Sequence, residues 1–490
     1  MAIKTCIKVV SLFLFLIIAG RSFNYLLSAL KIDGIAHAVN ALSTVKTAYA
    51  AGAASPPGGI GLKPDKTAKT LPYAPYGMKI SLSSAIKRAL SNQGNILKAR
   101  HIVSEKIDLK KAADAGLLPN ISVNAGGIWT RTKNGYPVFA SANGMRELIG
   151  QIALTVPIFD PKIYAGISLA GNNIKIADYQ LRLARLFVAA KITQYFYGLM
   201  LLKDEVKIER KALGGAEKIL TAAKIGYKAG SLSRFDAVQT GLMTAGIQTN
   251  LEILKSKVKS FERMFLMEIF YGSVKPAKFS LLVPVRNSSV LNYKLPSLNR
   301  LISNAVKKQP LIKIAGAEIK SAQTYVEINK AAKLPSIQGG AAYGEDTVNS
   351  VGAPNLSWQF FVMLNVPIYN FGLHSDYTDA AQEKLMALKS AESALKLSLK
   401  KRLTIDYGRA AASKKKIYGA KILVKKSEEA FKMTKEGYLA GAFNALELQI
   451  AQNNLIKSRI ELSKAVNAFY LAISQLDIDM GIIPSGDGKL

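Results

Sequence analysis

Cysteine is almost absent from this 490-residue chain: Cys6 stands alone. That excludes an intrachain disulfide framework. The only histidines, His37, His101 and His374, lie far apart without ligand-like spacing, so no zinc site can be assembled. A phosphate-cradling glycine loop, an H-E-x-x-H pair and a nucleophile elbow are all missing. The expectation is a protein that is not an enzyme and has no cofactor and no metal. Acidic residues are scarce, 33 against 66 basic ones, leaving a formal net charge of +33. Such an excess suits nucleic acid or an anionic membrane surface. The lysines are scattered, however, not gathered into an aromatic-interleaved patch, and a solvated surface on long helices with no nucleic-acid partner accounts for them.

Proline is missing from two long stretches, Lys162 to Lys275 and Ile368 to Ile483. Each is interrupted by one glycine-bounded bend, Gly226-Tyr227-Lys228-Ala229-Gly230 and Gly437-Tyr438-Leu439-Ala440-Gly441. At about 1.5 Å per residue, a helix from Gly372 to Glu436 alone reaches roughly 100 Å. Charges in mid-stretch, Lys400, Lys401, Arg402 and Lys414 to Lys416, exclude a membrane-spanning helix there. Beyond the bends, Ile247, Leu251, Leu254, Val258, Phe261 and Phe265, and likewise Leu462, Val466, Phe469, Ile473 and Leu476, step by fours and threes. That period of about 3.5 predicts helix-on-helix seams. Ile176, Tyr179, Leu183 and Leu186 suggest another seam.

The N-terminus predicts export. Lys4 and Lys8 precede an apolar run from Val9 to Gly20, and Ala48-Tyr49-Ala50 is a small-x-small cleavage pattern. This makes residues 1–50 a signal peptide; an uncleaved inner-membrane anchor stays open as the alternative. Residues 51–79, rich in Pro, Gly and Ala, predict an extended lead-in.

Residues 80–272 then form one unit: a helical pattern that begins at Ser81 and resumes through Ile96 to Leu118, strands from Pro119 to Lys133 and from Leu148 to Phe159, long helix, bend, helix. A proline-containing linker, 273–296, leads to a second unit, 297–481, and a tail, 482–490. The second unit opens with one helix from Ser297 to Lys333, followed by strands from Ile337 to Glu345 and from Trp358 to Val366. Three anchors recur in order. Leu118-Pro119 returns as Leu334-Pro335 (offset 216), Val156-Pro157-Ile158-Phe159 as Val366-Pro367-Ile368-Tyr369 (210), and the first bend as the second (211). A nearly constant offset predicts an internal duplication. The strands alternate: Ile152, Leu154, Val156 and Ile158 against Gln151, Ala153 and Thr155, and Trp358, Phe360, Val362 and Leu364 against Gln359, Phe361 and Met363. One apolar face over about ten residues is what a transmembrane barrel strand needs. A soluble sandwich strand remains the other reading of a single hairpin. Four strands cannot close a barrel, so lipid insertion requires several copies; three would supply twelve strands, a number that closure alone does not fix.

The order of elements, the Val-Pro-Ile-Phe and Val-Pro-Ile-Tyr strand exits and the paired Gly-Tyr-x-x-Gly bends resemble the TolC-like outer membrane efflux protein family over about residues 80–481. The resemblance implies a mainly α trimeric channel-tunnel in the outer-membrane lipid. Four transmembrane strands per protomer would form a 12-stranded barrel, continued by a periplasmic coiled-coil barrel. It implies a homotrimer docked to an inner-membrane pump through a periplasmic adaptor, serving efflux or type I secretion and gated at the helix tips. A periplasmic adaptor or scaffold that never inserts is the alternative. The family carries an acidic residue six positions past the second glycine of each bend; here these are Asp236 and Glu447. Trimerisation would make Glu447 a ring of carboxylates. The position of a frequent second carboxylate is Ile450, implying a hydrophobic collar instead. The family's tip links map to Asp236 with Tyr438, and to Phe443 with Phe235, where an apolar contact would replace a polar one.

Overall fold

The structure, a computed structural model, describes residues 78–129, 132–133, 136–137, 146–270, 279–282, 293–348 and 356–484. The signal-peptide reading of residues 1–50, most of the lead-in and the last residues of the tail lie outside them.

The element order starts with β1 (Met78–Ile80), α1 (Leu82–Asn92), α2 (Gly94–Ala115), β2 (Asn120–Trp129), β3 (Thr132–Lys133), β4 (Tyr136–Pro137) and β5 (Arg146–Phe159). The helices α3 (Pro161–Lys228) and α4 (Arg234–Phe270) follow, then β6 (Phe279–Leu281). The second run is α5 (Leu298–Lys308), α6 (Pro310–Ala331), β7 (Ser336–Val348), β8 (Leu356–Asn365), α7 (Leu373–Leu439) and α8 (Ala445–Asp479). At 68 and 67 residues, α3 and α7 are each roughly 100 Å long. The first starts where Asp160 caps its N-terminus by accepting from Lys162 N at 2.9 Å, with Pro161 at the first helical position.

Two expectations need correction. The span from Ser297 to Lys333 is two helices, not one. Pro310 has no N–H to give and its ring blocks the preceding turn, so the chain breaks at Gln309, which is extended (ψ 120°). The break is put to use: the Gln309 amide donates to the carbonyls of Ile478 (3.2 Å) and Asp479 (3.1 Å) in the last turn of α8. Gln93, 216 residues earlier and followed by Gly94 in place of a proline, is likewise extended (ψ 133°), and its amide donates to Glu268 near the end of α4. The second correction concerns the linker 273–296, which is not merely a connector. Its β6 pairs in parallel with β1, Met78 opposite Phe279 and Ile80 opposite Leu281.

The main sheet has the order β2-β5-β7-β8 and is antiparallel throughout. Its centre joins the two units, β5 against β7. Residues directly opposite in such a ladder share a face. Val123, Ile152, Tyr343 and Trp358 stand in one row across it, and Ile121, Leu154, Ala341 and Phe360 in the next. This face is apolar and open: Val362 is 73% exposed and Trp358 and Phe360 more than half. The opposite face carries Ser122, Ala153, Ala342 and Gln359, then Thr155, Gly340 and Phe361. Gly340 is required by a close approach: a Cβ there would stand 2.3 Å from the Phe361 ring, which covers the bare backbone. Each outer strand, β2 and β8, has one neighbour among the described residues.

The largest core lies midway along the long helices, where β1, α1 and α5 gather onto α3, α4, α7 and α8. Phe196, Phe265, Leu403 and Leu476 are fully enclosed, and Tyr197 stacks on Tyr470 at 5.4 Å. The seams on α4 and α8 face inward as the spacing predicts, with Ile247, Leu251, Phe265, Phe469, Ile473 and Leu476 buried. On α3, Leu186 is buried as the spacing predicts, but Ile176, Tyr179 and Leu183 are only half-buried; Ala177, Leu181, Val188, Ala189 and Ile192 are the other deep residues. No helix among the described residues is long and apolar enough to cross a membrane.

The end of α8 buries two carboxylates. Asp479 accepts from Arg402 Nε at 2.9 Å, and Asp477 keeps an oxygen without a partner. Burial pushes Asp477 up to about 7; it does the same for Asp479, aided by Asp406 and opposed by Arg402. An acid raised in the folded state binds more protons folded than unfolded. Its contribution to stability is thus full below about pH 4 and is lost as pH rises to about 7. Asp477→Asn should therefore raise the Tm at pH 8, by an amount on the order of 2–4 kcal/mol in stability, and leave it unchanged at pH 4. Thermal melts at the two pH values test this; an equal shift at both would refute it.

Candidate functional site at the helix tips

Both long helices end in the same closure. At the end of α3, Ser231 N donates to Gly226 O (2.9 Å) and Gly230 N to Tyr227 O (3.1 Å). At the end of α7, Ala442 N donates to Gly437 O (2.8 Å) and Gly441 N to Tyr438 O (3.1 Å). This pair of bonds requires a left-handed residue just past the helix. Gly230 (φ 77°) and Gly441 (φ 80°) supply it, a conformation that costs a residue with a Cβ roughly 1 kcal/mol or more. The first glycine of each bend has a different task. The Leu232 side chain folds back onto Gly226 and the Phe443 ring onto Gly437, where an added Cβ would lie 2.9 and 2.3 Å from them. The bends thus need glycine twice, once for φ and once for space.

The return helices begin as similarly. Ser233 Oγ accepts from Asp236 N (3.1 Å) and donates to Asp236 Oδ2 (2.6 Å). Asn444 Oδ1 accepts from Glu447 N, and Glu447 Oε2 accepts from Asn444 N, both at 2.9 Å, a complete capping box. Both acidic residues therefore sit at the third helical position, where a carboxylate satisfies free N–H groups and the positive end of the helix. The signals Ser-x-x-Asp and Asn-x-x-Glu were readable in the sequence and explain the carboxylates before any gate is invoked.

Asp236 does more. Its Oδ1 accepts from Ala445 N at 3.1 Å, tying the start of α4 to the start of α8. Tyr438 lies beside it, fully enclosed by Ile219 and Ala223 of α3 and by Ala445 and Leu448 of α8. The two residues are neighbours, yet the carboxylate bonds to the backbone of α8 and not to the phenol. Burial raises the Tyr438 phenol, the Asp236 charge raises it further, and Thr240 works against both. The equivalent tyrosine of the first bend, Tyr227, is exposed. One turn along, Gln239 donates to Gln449 at 2.6 Å, a second tie between the hairpins.

The remaining tip residues are open in the single chain. Phe235 is 65% and Ile450 53% exposed, and Glu447 and Ile450 line one groove between α7 and α8 with Lys426 and Thr434. Within the chain the Phe443 ring is spent on Gly437, and no ring contact joins it to Phe235 among the described residues. No cluster of His, Cys, Asp and Glu among the described residues could hold a metal ion.

A family model described as outer membrane efflux protein matches the chain twice, over residues 85–258 and 301–478. The cobalt-zinc-cadmium resistance protein CzcC of Cupriavidus metallidurans is 21% identical over 420 residues, 83% of this chain and 87% of that protein. The pyoverdine export outer membrane protein OpmQ of Pseudomonas aeruginosa is 22% identical over 427 residues, covering 80% and 84%. Among solved structures, CusC superposes with a TM-score of 0.71 at 15% identity, covering 83% of this chain and 93% of that one. VceC of Vibrio cholerae gives 0.67 at 14% identity, covering 82% and 97%.

The geometry of the bend predicts an epistatic pair. Gly437→Ala should speed amide hydrogen exchange across residues 436–446 about tenfold, and Phe443→Ala added to it should restore most of the protection. Exchange as fast in the double variant as in Gly437→Ala would show that the ring is not the obstacle.

Proposed function

The chain belongs to the outer membrane efflux protein family, whose place is the outer membrane, and on that premise we propose that it is the outer-membrane exit duct of a tripartite efflux or type I secretion system. The observation that carries this reading is the four-stranded sheet with one exposed apolar face and two unpaired edges, set on helices roughly 100 Å long. In hydrocarbon an unpaired edge leaves backbone groups unsatisfied at several kcal/mol each. Pairing β8 of one copy with β2 of the next removes every edge, and three copies give a twelve-stranded barrel with room for a lumen. The long helices then continue the conduit through the periplasm towards an adaptor and an inner-membrane pump. The two matches of one family model support a duplicated protomer with halves near 80–272 and 297–481. The periplasmic-scaffold alternative loses its ground, because nothing in it calls for a sheet with a bare apolar face. Family membership is that of transport channels, not of enzymes.

The tips are proposed as the gate. Asp236 holds α4 to α8, so freeing α8 requires that bond to break. Glu447, its own box aside, has no tie to the other hairpin; with Ile450 it forms the constriction once three copies assemble.

Three measurements test the reading. The protein purified in detergent should migrate as a trimer on unheated gels, and a monomer that stays soluble without detergent would end the duct proposal. In planar bilayers Asp236→Ala should raise single-channel conductance severalfold, while Asp236→Asn, which keeps an acceptor for Ala445 N, should stay near wild type. Equal conductance in all three would remove the latch. Glu447→Gln should weaken block by multivalent cations about tenfold; a variant blocked as readily as wild type would place the ring elsewhere.

A further inference from the structure

Away from the bends, the groove between α4 and α8 encloses a cavity of about 430 Å³. One wall is aliphatic, with Ile247 from α4 and Ile456 and Ile460 from α8, and polar side chains, the amides of Asn250, Gln449 and Asn453 among them, make up the rest. It is also lined by Glu209 of α3, which is 5% exposed and whose Oε2 has no hydrogen-bond partner. A buried carboxylate without a partner is costly, and most such groups are paired. The helical hairpin does not need it: the position 211 residues on, at the same distance before the second bend, is the buried Ala420.

We propose that this cavity binds a monovalent organic ammonium ion, its charged head on Glu209 and its apolar body along Ile247, Ile456 and Ile460. A hard divalent cation would need about six oxygen ligands, and no cluster of His, Cys, Asp and Glu among the described residues could hold a metal ion. The volume falls within the range of small-molecule sites, and aliphatic side chains beside a buried carboxylate are what an amphipathic cation requires.

Burial raises the Glu209 carboxyl above its ordinary value, and Glu205 one turn away raises it further. The other charged groups nearby are Lys457, Glu461 and Lys464 from α8, with Glu461 and Lys464 paired at 3.2 Å. The α4 residues lining the cavity are uncharged, and Lys257 of α4 faces Glu205 instead. Ligand binding should therefore displace a proton and weaken on acidification.

The test is calorimetric titration of the full-length protein in nonionic detergent with n-hexylammonium chloride, and with n-hexanol as its uncharged counterpart. Hexylammonium should bind wild type with an affinity that falls about tenfold from pH 8 to pH 5. Glu209→Gln should weaken it about tenfold at pH 8 and leave hexanol unchanged. Gly246→Leu, whose side chain enters open space in the groove, should abolish both. Equal hexylammonium affinity in Glu209→Gln and wild type, or binding undiminished by Gly246→Leu, would overturn the site. A protein that conducts normally but binds no hexylammonium would overturn the site as well, and leave the duct reading standing.

Discussion

Everything in this molecule answers to the open edges of one sheet. A strand at the margin of a sheet presents a row of unpaired N–H and C=O groups, and here β2 and β8 both do so while the sheet's exposed face is apolar. In water the face is unfavourable; in lipid the edges are. Only closure on further strands satisfies both, and the chain holds no more strands of matching length among the described residues. In the proposed duct the free edges of β2 and β8 are met by strands of other copies, and α7, which follows β8, starts beside that seam.

Much of this was legible in the sequence, because the signals are periodic. Period-2 alternation placed β5 and β8, and steps of four and three placed the buried faces of α4 and α8. Glycine pairs placed both bends to the residue. What escaped lacked a period. The three-residue strands β1 and β6 are too short to alternate and lie 200 residues apart, so only tertiary pairing reveals them. Pro310 was a local stop signal, overridden in reading by the helical pattern on both sides of it. On α3 the mixture of Ala, Tyr and Leu blurred the seam, and small residues such as Ala177 and Ala189 went deeper than the bulky ones that drew notice.

At the tips the lesson is different. Asp236 and Glu447 were visible as carboxylates at a fixed distance from the bends, but distance says nothing of what a carboxylate is bonded to. The structure gives both the same employment, the third position of a cap, and only one of them a second bond. Sequence repeats therefore report the shared task well and the divergent task poorly. The divergence is where the two halves cease to be interchangeable: Tyr438 is enclosed and Tyr227 exposed, and Asp236 reaches across to Ala445 while Glu447 does not cross to the other hairpin.

That asymmetry has a physical consequence for any movement at the tips. A bond from Asp236 to a first-turn N–H of α8 holds only while the two helix starts remain about 3 Å apart at those atoms, whereas capping boxes travel with their own helices. Displacing one hairpin from the other thus breaks the crossing bond and leaves both caps intact. It also uncovers Tyr438, whose enclosure depends on Ile219 and Ala223 from one hairpin and Leu448 from the other. The cost of separating the hairpins therefore falls on a few contacts between them and not on the hydrogen bonds within the helices. The two hairpins provide this division: each carries its own rod and cap, and the differences between them, Asp236 and Tyr438, provide the hold between the two.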